Sequence, residues 1–204
     1  MIFYLVLICV FSYALAVTFP EIYSKAKQSV IEQSVELQIE NEEANKYPVL
    51  ATVMFLIPVL IFTLSEDMLL SIFCFLLAIL AYTDASARWI PDVVIYILLA
   101  VSMITTSSND LMFSLSAATF YILPAAMLSA YGYLVRKDSW IASGDYYVFP
   151  SIGLMTFPEY AAGLMLVTLA IAVLLTRRIK KVPLVTVAYF TFTGYQTCVL
   201  LGLF

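Results

Sequence analysis

The chain has 204 residues, 63% of them hydrophobic and only 12% charged, where a soluble domain carries about a quarter charged residues. That composition excludes a soluble enzyme and defines an all-α polytopic membrane protein. The formal charge of −4, with few and scattered basic residues, gives no basis for a nucleic-acid partner. The absence of histidine removes the commonest general base and the commonest metal ligand. Cys9, Cys74 and Cys198 stand alone within apolar runs. With no C-x-x-C pair, zinc-ribbon and thioredoxin-type chemistry is excluded, and neither a metal nor an organic cofactor is expected.

In chain order, residues 1–19 are apolar and long enough to span, with no basic residue before them. A cleaved signal peptide has a basic start and a small-residue cleavage site. The lysines here, Lys25 and Lys27, come afterwards, which predicts an uncleaved first transmembrane helix. Residues 20–47 form the one long polar stretch. Tyr23, Ala26, Val30, Ile31, Val35 and Ile39 recur there at roughly helical spacing, predicting an amphipathic helix within a short cytoplasmic polar segment. Residues 48–204 alternate apolar and polar stretches, with spans predicted near 48–64, 68–83, 93–109, 111–133, 146–157, 160–176 and 182–204. Several are shorter than the ~20 residues of an ideal span. With the first helix they make a bundle of about eight transmembrane helices.

Charge placement supports this count. Lys25, Lys27 and Lys46 fall in the first loop, Arg88 in the third, Arg136 and Lys137 in the fifth, and Arg177, Arg178, Lys180 and Lys181 in the seventh. The even loops hold only Glu66, Asp67, Asp110 and Glu159. By the positive-inside rule the odd loops are cytoplasmic and both termini lie outside. Asp84 ends the third span and Asp145 begins the sixth, so this topology places both carboxylates at the same, cytoplasmic depth.

Two carboxylates a few ångströms apart cannot both stay ionised, and such a pair shares one proton. The ionised member can take a proton from an attacking water while the protonated member donates to a peptide carbonyl. Gly144, next to Asp145, is expected to supply a tight turn and room for a substrate strand. No G-x-S-x-G elbow, H-E-x-x-H or phosphate loop competes for a hydrolytic role. The rival reading of the same acids is a transporter, or a non-catalytic assembly factor, because intramembrane carboxylates also mark ion paths. A transporter is expected to carry acids near the bilayer midplane and paired broken helices, whereas these lie at helix ends on one side. Asp92, Asp110 and Asp138 read as interfacial caps.

The stretch Asp84-Ala85-Ser86-Ala87-Arg88-Trp89-Ile90-Pro91-Asp92 resembles the first active-site stretch of the type IV prepilin peptidases. In that family an aspartate ending one helix is followed after six residues by Pro-Asp or Pro-Asn opening the next. Ala142-Ser143-Gly144-Asp145 resembles the family's G-x-G-D signature. Ala142 replaces its first glycine, and Tyr147 stands where many members have lysine. The resemblance, over about residues 1–204, implies a membrane-embedded aspartyl endopeptidase of the bacterial inner membrane. Asp84 and Asp145 would be its dyad, with interchangeable roles. It implies a prepilin or pseudopilin partner, cut between a basic leader and a hydrophobic helix at the cytoplasmic face. Bifunctional members carry two C-x-x-C pairs after the first span. Residues 20–47 hold no cysteine, so a minimal form without methyltransferase activity is expected.

Overall fold

The computed structural model describes residues 2–31, 45–106, 111–137, 141–142, 144–177 and 182–203. The expectations for Val35, Ile39, Asp110, Asp138, Arg178, Lys180 and Lys181 fall outside that set. Eight helices make up the described chain: α1 (Ile2–Ile31), α2 (Pro48–Ser65), α3 (Met68–Ala87), α4 (Asp92–Thr106), α5 (Leu111–Arg136), α6 (Asp145–Leu154), α7 (Pro158–Thr176) and α8 (Leu184–Leu200). Among the described residues, α2, α3, α5 and α7 are long and apolar enough to cross a membrane, and α4 and α8 are shorter apolar helices.

Two boundaries differ from expectation. The first span and the helix expected after it are not separate at residue 19, because α1 runs unbroken through Pro20 to Ile31. No glycine interrupts residues 2–31, and a proline alone removes one backbone hydrogen bond without ending a helix that is otherwise well formed. At the other extreme, α6 has only 10 residues, roughly 15 Å at the helical rise, about half the ~30 Å of a hydrocarbon core. Its far end is held by α8: Gln196 Nε2 donates to the Met155 carbonyl at 2.7 Å, and the Phe157 N–H donates to the Tyr195 hydroxyl at 3.1 Å. Backbone groups at the α6–α7 junction thus find partners inside the bundle, as a chain in lipid requires.

α3 is the central helix, packed against α2, α4 and α8, while α5 holds α6 and α7. Its face carries Phe73, Cys74, Leu77, Ala78, Ala81 and Tyr82 into the core. Proline chemistry fixes one of these contacts. Pro58 inside α2 has no N–H for the carbonyl of Met54 one turn earlier. The buried Tyr189 hydroxyl of α8 donates to that carbonyl instead, at 2.6 Å.

The helix ends that matter for chemistry are set locally. α3 stops at Arg88, which takes the left-handed conformation at φ 51° and returns its N–H to the Asp84 carbonyl at 2.9 Å. Pro91 disfavours helical geometry at Ile90, and its carbonyl then accepts from Val94 and Ile95 to open α4 at Asp92. Asp92 is solvent-exposed in that first turn. α8 starts after Pro183, which offers no side-chain cap, so the first N–H groups of α8 need partners from elsewhere.

Candidate active site

The partner for α8 is Asp84. One turn before the end of α3, its Oδ2 accepts the Thr186 backbone N–H at 3.1 Å, and the Thr186 hydroxyl lies 3.4 Å from the same oxygen. A carboxylate thus stands at a helix N-terminus, where orphan N–H groups and the helix dipole favour an anion. The Thr186 hydroxyl donates to the Ala81 carbonyl at 2.7 Å. The hydroxyl thus has two acceptors within reach, the nearer Ala81 carbonyl and the more distant Asp84 Oδ2. Thr186 therefore ties α8 to both the backbone and the carboxylate of α3, across 102 residues of sequence.

Asp145 is the first residue of α6 and is buried beside this cluster. Asp84 is 5% exposed and Asp145 6%, so neither is an open interfacial marker. The two carboxylates are near enough for their charges to act on one another. The backbone N–H of Asp145 donates to Ala142 at 3.2 Å, and among the described residues no donor is bonded to its side chain. Ile90, in the link between α3 and α4, lies against Gly144 and joins the two halves of the site. The structure thus brings the sequence-selected residues Asp84, Gly144 and Asp145 to one end of the bundle.

Gly144 does not supply the expected special turn. Gly144 has φ −61° and ψ −36°, ordinary helical values that any residue adopts. A Cβ there would lie 3.6 Å from Ile90 Cδ1, a normal contact. No tight turn depends on this glycine, because α6 begins with right-handed geometry already in place at its N-cap. Ala142, at the signature's first glycine, is not among the residues with positive φ, so its methyl group imposes no backbone strain. Ala142→Gly is expected to shift stability by less than about 1 kcal/mol and to leave cleavage within about twofold, as read by a melting curve in detergent and an initial rate.

Thr186 is the site residue that sequence reasoning missed. It lies in an apolar stretch, outside either motif, and only the packing of α8 on α3 brings it to Asp84. The one available signal was Pro183: a helix opening after proline has no side-chain cap of its own and needs a group from another element.

Eight packed helices, four of them long and apolar enough to cross a membrane, define a helical membrane protein with a pair of buried carboxylates at one end. The family model of the type IV leader peptidases matches residues 71–177, just over half of the chain, and the chain belongs to that family. The matched segment contains both Asp84 and Asp145 and ends before α8. No curated protein and no solved structure matches the chain. Membership makes the protein a membrane-embedded peptidase acting on a protein substrate.

Proposed function

We propose that the protein is an aspartyl endopeptidase that removes the basic leader of type IV prepilins or pseudopilins at the cytoplasmic face of the bacterial inner membrane, with Asp84 and Asp145 as its dyad. The observation that carries this reading is the pair of buried carboxylates from α3 and α6, one of them seated on the N-terminus of α8. Burial of two acids together is costly unless they share a proton or are used. Their surroundings also differ in a way that suits two roles. Asp84 Oδ2 accepts from a helix N-terminus, an arrangement for the ionised base, whereas Asp145 is left to hold the shared proton.

The chemistry follows from those roles. Asp84 takes a proton from a water that attacks the scissile carbonyl, while Asp145 gives its proton to the carbonyl oxygen as the tetrahedral intermediate forms. On collapse Asp84 gives its proton to the leaving amine while Asp145 takes one back from a hydroxyl of the tetrahedral diol, so the pair again holds one proton. No covalent intermediate is needed. The charge pattern of Arg88, Arg136, Lys137 and Arg177 supports a cytoplasmic site, and the described residues offer no cluster of metal ligands.

The test is co-expression with candidate prepilins, read by the gel shift that accompanies loss of the leader. Cleavage by the parent protein is expected. A second expectation concerns Thr186. Thr186→Val keeps the backbone N–H to Asp84 but deletes the hydroxyl. It should lower kcat about tenfold, the equivalent of ~1.4 kcal/mol in the barrier, with KM within about twofold. Thr186→Ser, which restores the hydroxyl, should recover most of the rate. Equal loss in both variants contradicts a positioning role for the hydroxyl.

A further inference from the structure

A groove of about 760 Å³ runs along the outside of the bundle between α7 and α8, bounded at one end by Leu50 of α2 and Ala85 of α3. Its α8 wall is a single stripe that includes Thr186, Phe190, Gly194 and Cys198, and its α7 wall includes Gly163, Val167 and Ile171. At ~1.5 Å per residue, Thr186 to Cys198 extends roughly 18 Å, more than three helical turns. The surface is almost wholly apolar, and Val167, Ile171 and Phe190 are exposed on it. Positions 163 and 194 are bare: a Cβ at either would meet nothing within 4 Å.

Lipid-facing apolar surface is ordinary in a membrane protein. This groove differs in where it leads. Thr186, which donates its N–H to Asp84, and Ala85, the residue after Asp84, line its end. Anything lying along α8 is therefore guided to the carboxylates. A peptide segment entering from lipid must satisfy its backbone internally and so arrives as a helix. Small residues allow the close backbone approach by which helices associate in membranes, and the groove provides two, one on each wall. Among the described residues, nothing packed within 4 Å of a Cβ at Gly163 or Gly194 requires a glycine at either position.

From this we infer that the α7–α8 groove seats an apolar helix of the substrate protein and presents the residues at that helix's end to Asp84 and Asp145. The inference rests on the peptidase reading above and assigns where its substrate docks. The seated helix supplies binding energy remote from the reacting bond, so its loss weakens selection of a membrane-anchored substrate more than of a short peptide.

The test uses a prepilin that the parent protein cleaves, reconstituted in vesicles, alongside a soluble peptide spanning the cleaved bond without the apolar helix. Gly194→Leu and Gly163→Leu fill the groove. Each is expected to lower the ratio of kcat/KM for the anchored substrate to that for the peptide at least tenfold. An unchanged ratio overturns the inference. A second readout does not need turnover. In the Asp84→Asn background, a cysteine placed along the substrate's apolar helix should form a disulfide with Cys198, and Cys198→Ser should abolish it. Absence of that crosslink at every helix position overturns the assignment in favour of lipid, and a Cys198–Cys198 crosslink between two copies overturns it in favour of a dimer face. Failure of the parent to cleave any prepilin sinks the peptidase reading, a result distinct from all of these.

Discussion

Asp84→Asn and Asp145→Asn should each reduce cleavage by at least about 10³-fold, while membrane abundance and melting behaviour change little. General acid–base catalysis contributes roughly 10²–10⁴-fold per group, and here each group is needed in both halves of the reaction. Asparagine nearly matches aspartate in size, so packing around Ala81 and Ile90 is kept. The Thr186 N–H at 3.1 Å from Asp84 Oδ2 can still donate to an amide oxygen at position 84, so the cap on α8 survives. Removing a charge from the buried cluster also relieves repulsion between the two acids. The expected pattern is therefore an intact protein without activity, measured by the cleaved band and by immunodetection in membranes. Loss of the Asp84→Asn protein itself would contradict the view that the cap, and not the charge, holds α8 in place.

The largest expected effect on stability lies elsewhere, at Gly153. A methyl group there would lie 2.5 Å from Ala118 Cα and 3.0 Å from Tyr121 Cβ, and the first of these is backbone that cannot rotate aside. Gly153→Ala must push α6 away from α5, at a cost of about 1–3 kcal/mol. Because α6 has a single face against α5 and carries Asp145 at its start, the shift should reach the site and lower activity as well. Gly163→Ala is the control. With nothing within 4 Å of the added carbon, it should be neutral or stabilise through better helix propensity, by up to about 1 kcal/mol. Melting temperatures of the two variants in the same detergent decide the matter, and a neutral Gly153→Ala contradicts the close α5–α6 packing.

Much of this architecture could be read from residues. The apolar runs after Tyr47 correspond to α2–α8, because in a chain this hydrophobic each polar break is a real helix end. Asp67, which caps α3 by accepting from Leu69 and Leu70, and Asp92, which opens α4, are such breaks. The two aspartates stood out because each ended or began an apolar run, and helix alternation alone put them at one depth. What sequence could not supply was the lateral packing that sets α3 against α8 and α6 against α5 and α4. Thr186, silent in an apolar stretch, and the Tyr189 bond to the carbonyl freed by Pro58 depend wholly on that packing. Gly144 shows the opposite error. A glycine beside a catalytic candidate suggests special backbone geometry, yet its φ of −61° is unexceptional. The helical spacing of Tyr23, Ala26, Val30 and Ile31 already pointed to helix past Pro20, and only the unbroken join with the first span was not legible, since the change from apolar to polar residues after Phe19 marks a change of surroundings rather than of conformation.

Asp84 and Asp145 are proposed to act as one proton-sharing unit. The most direct test is a double-mutant comparison with purified protein in detergent, quantifying leader release by mass spectrometry over long incubations for the parent, Asp84→Asn, Asp145→Asn and the double variant. Groups that work as a unit are non-additive, so both single variants should fall to the rate of the double variant, within about threefold. Losses that multiply, or near-parental activity in either single variant, would contradict a shared dyad.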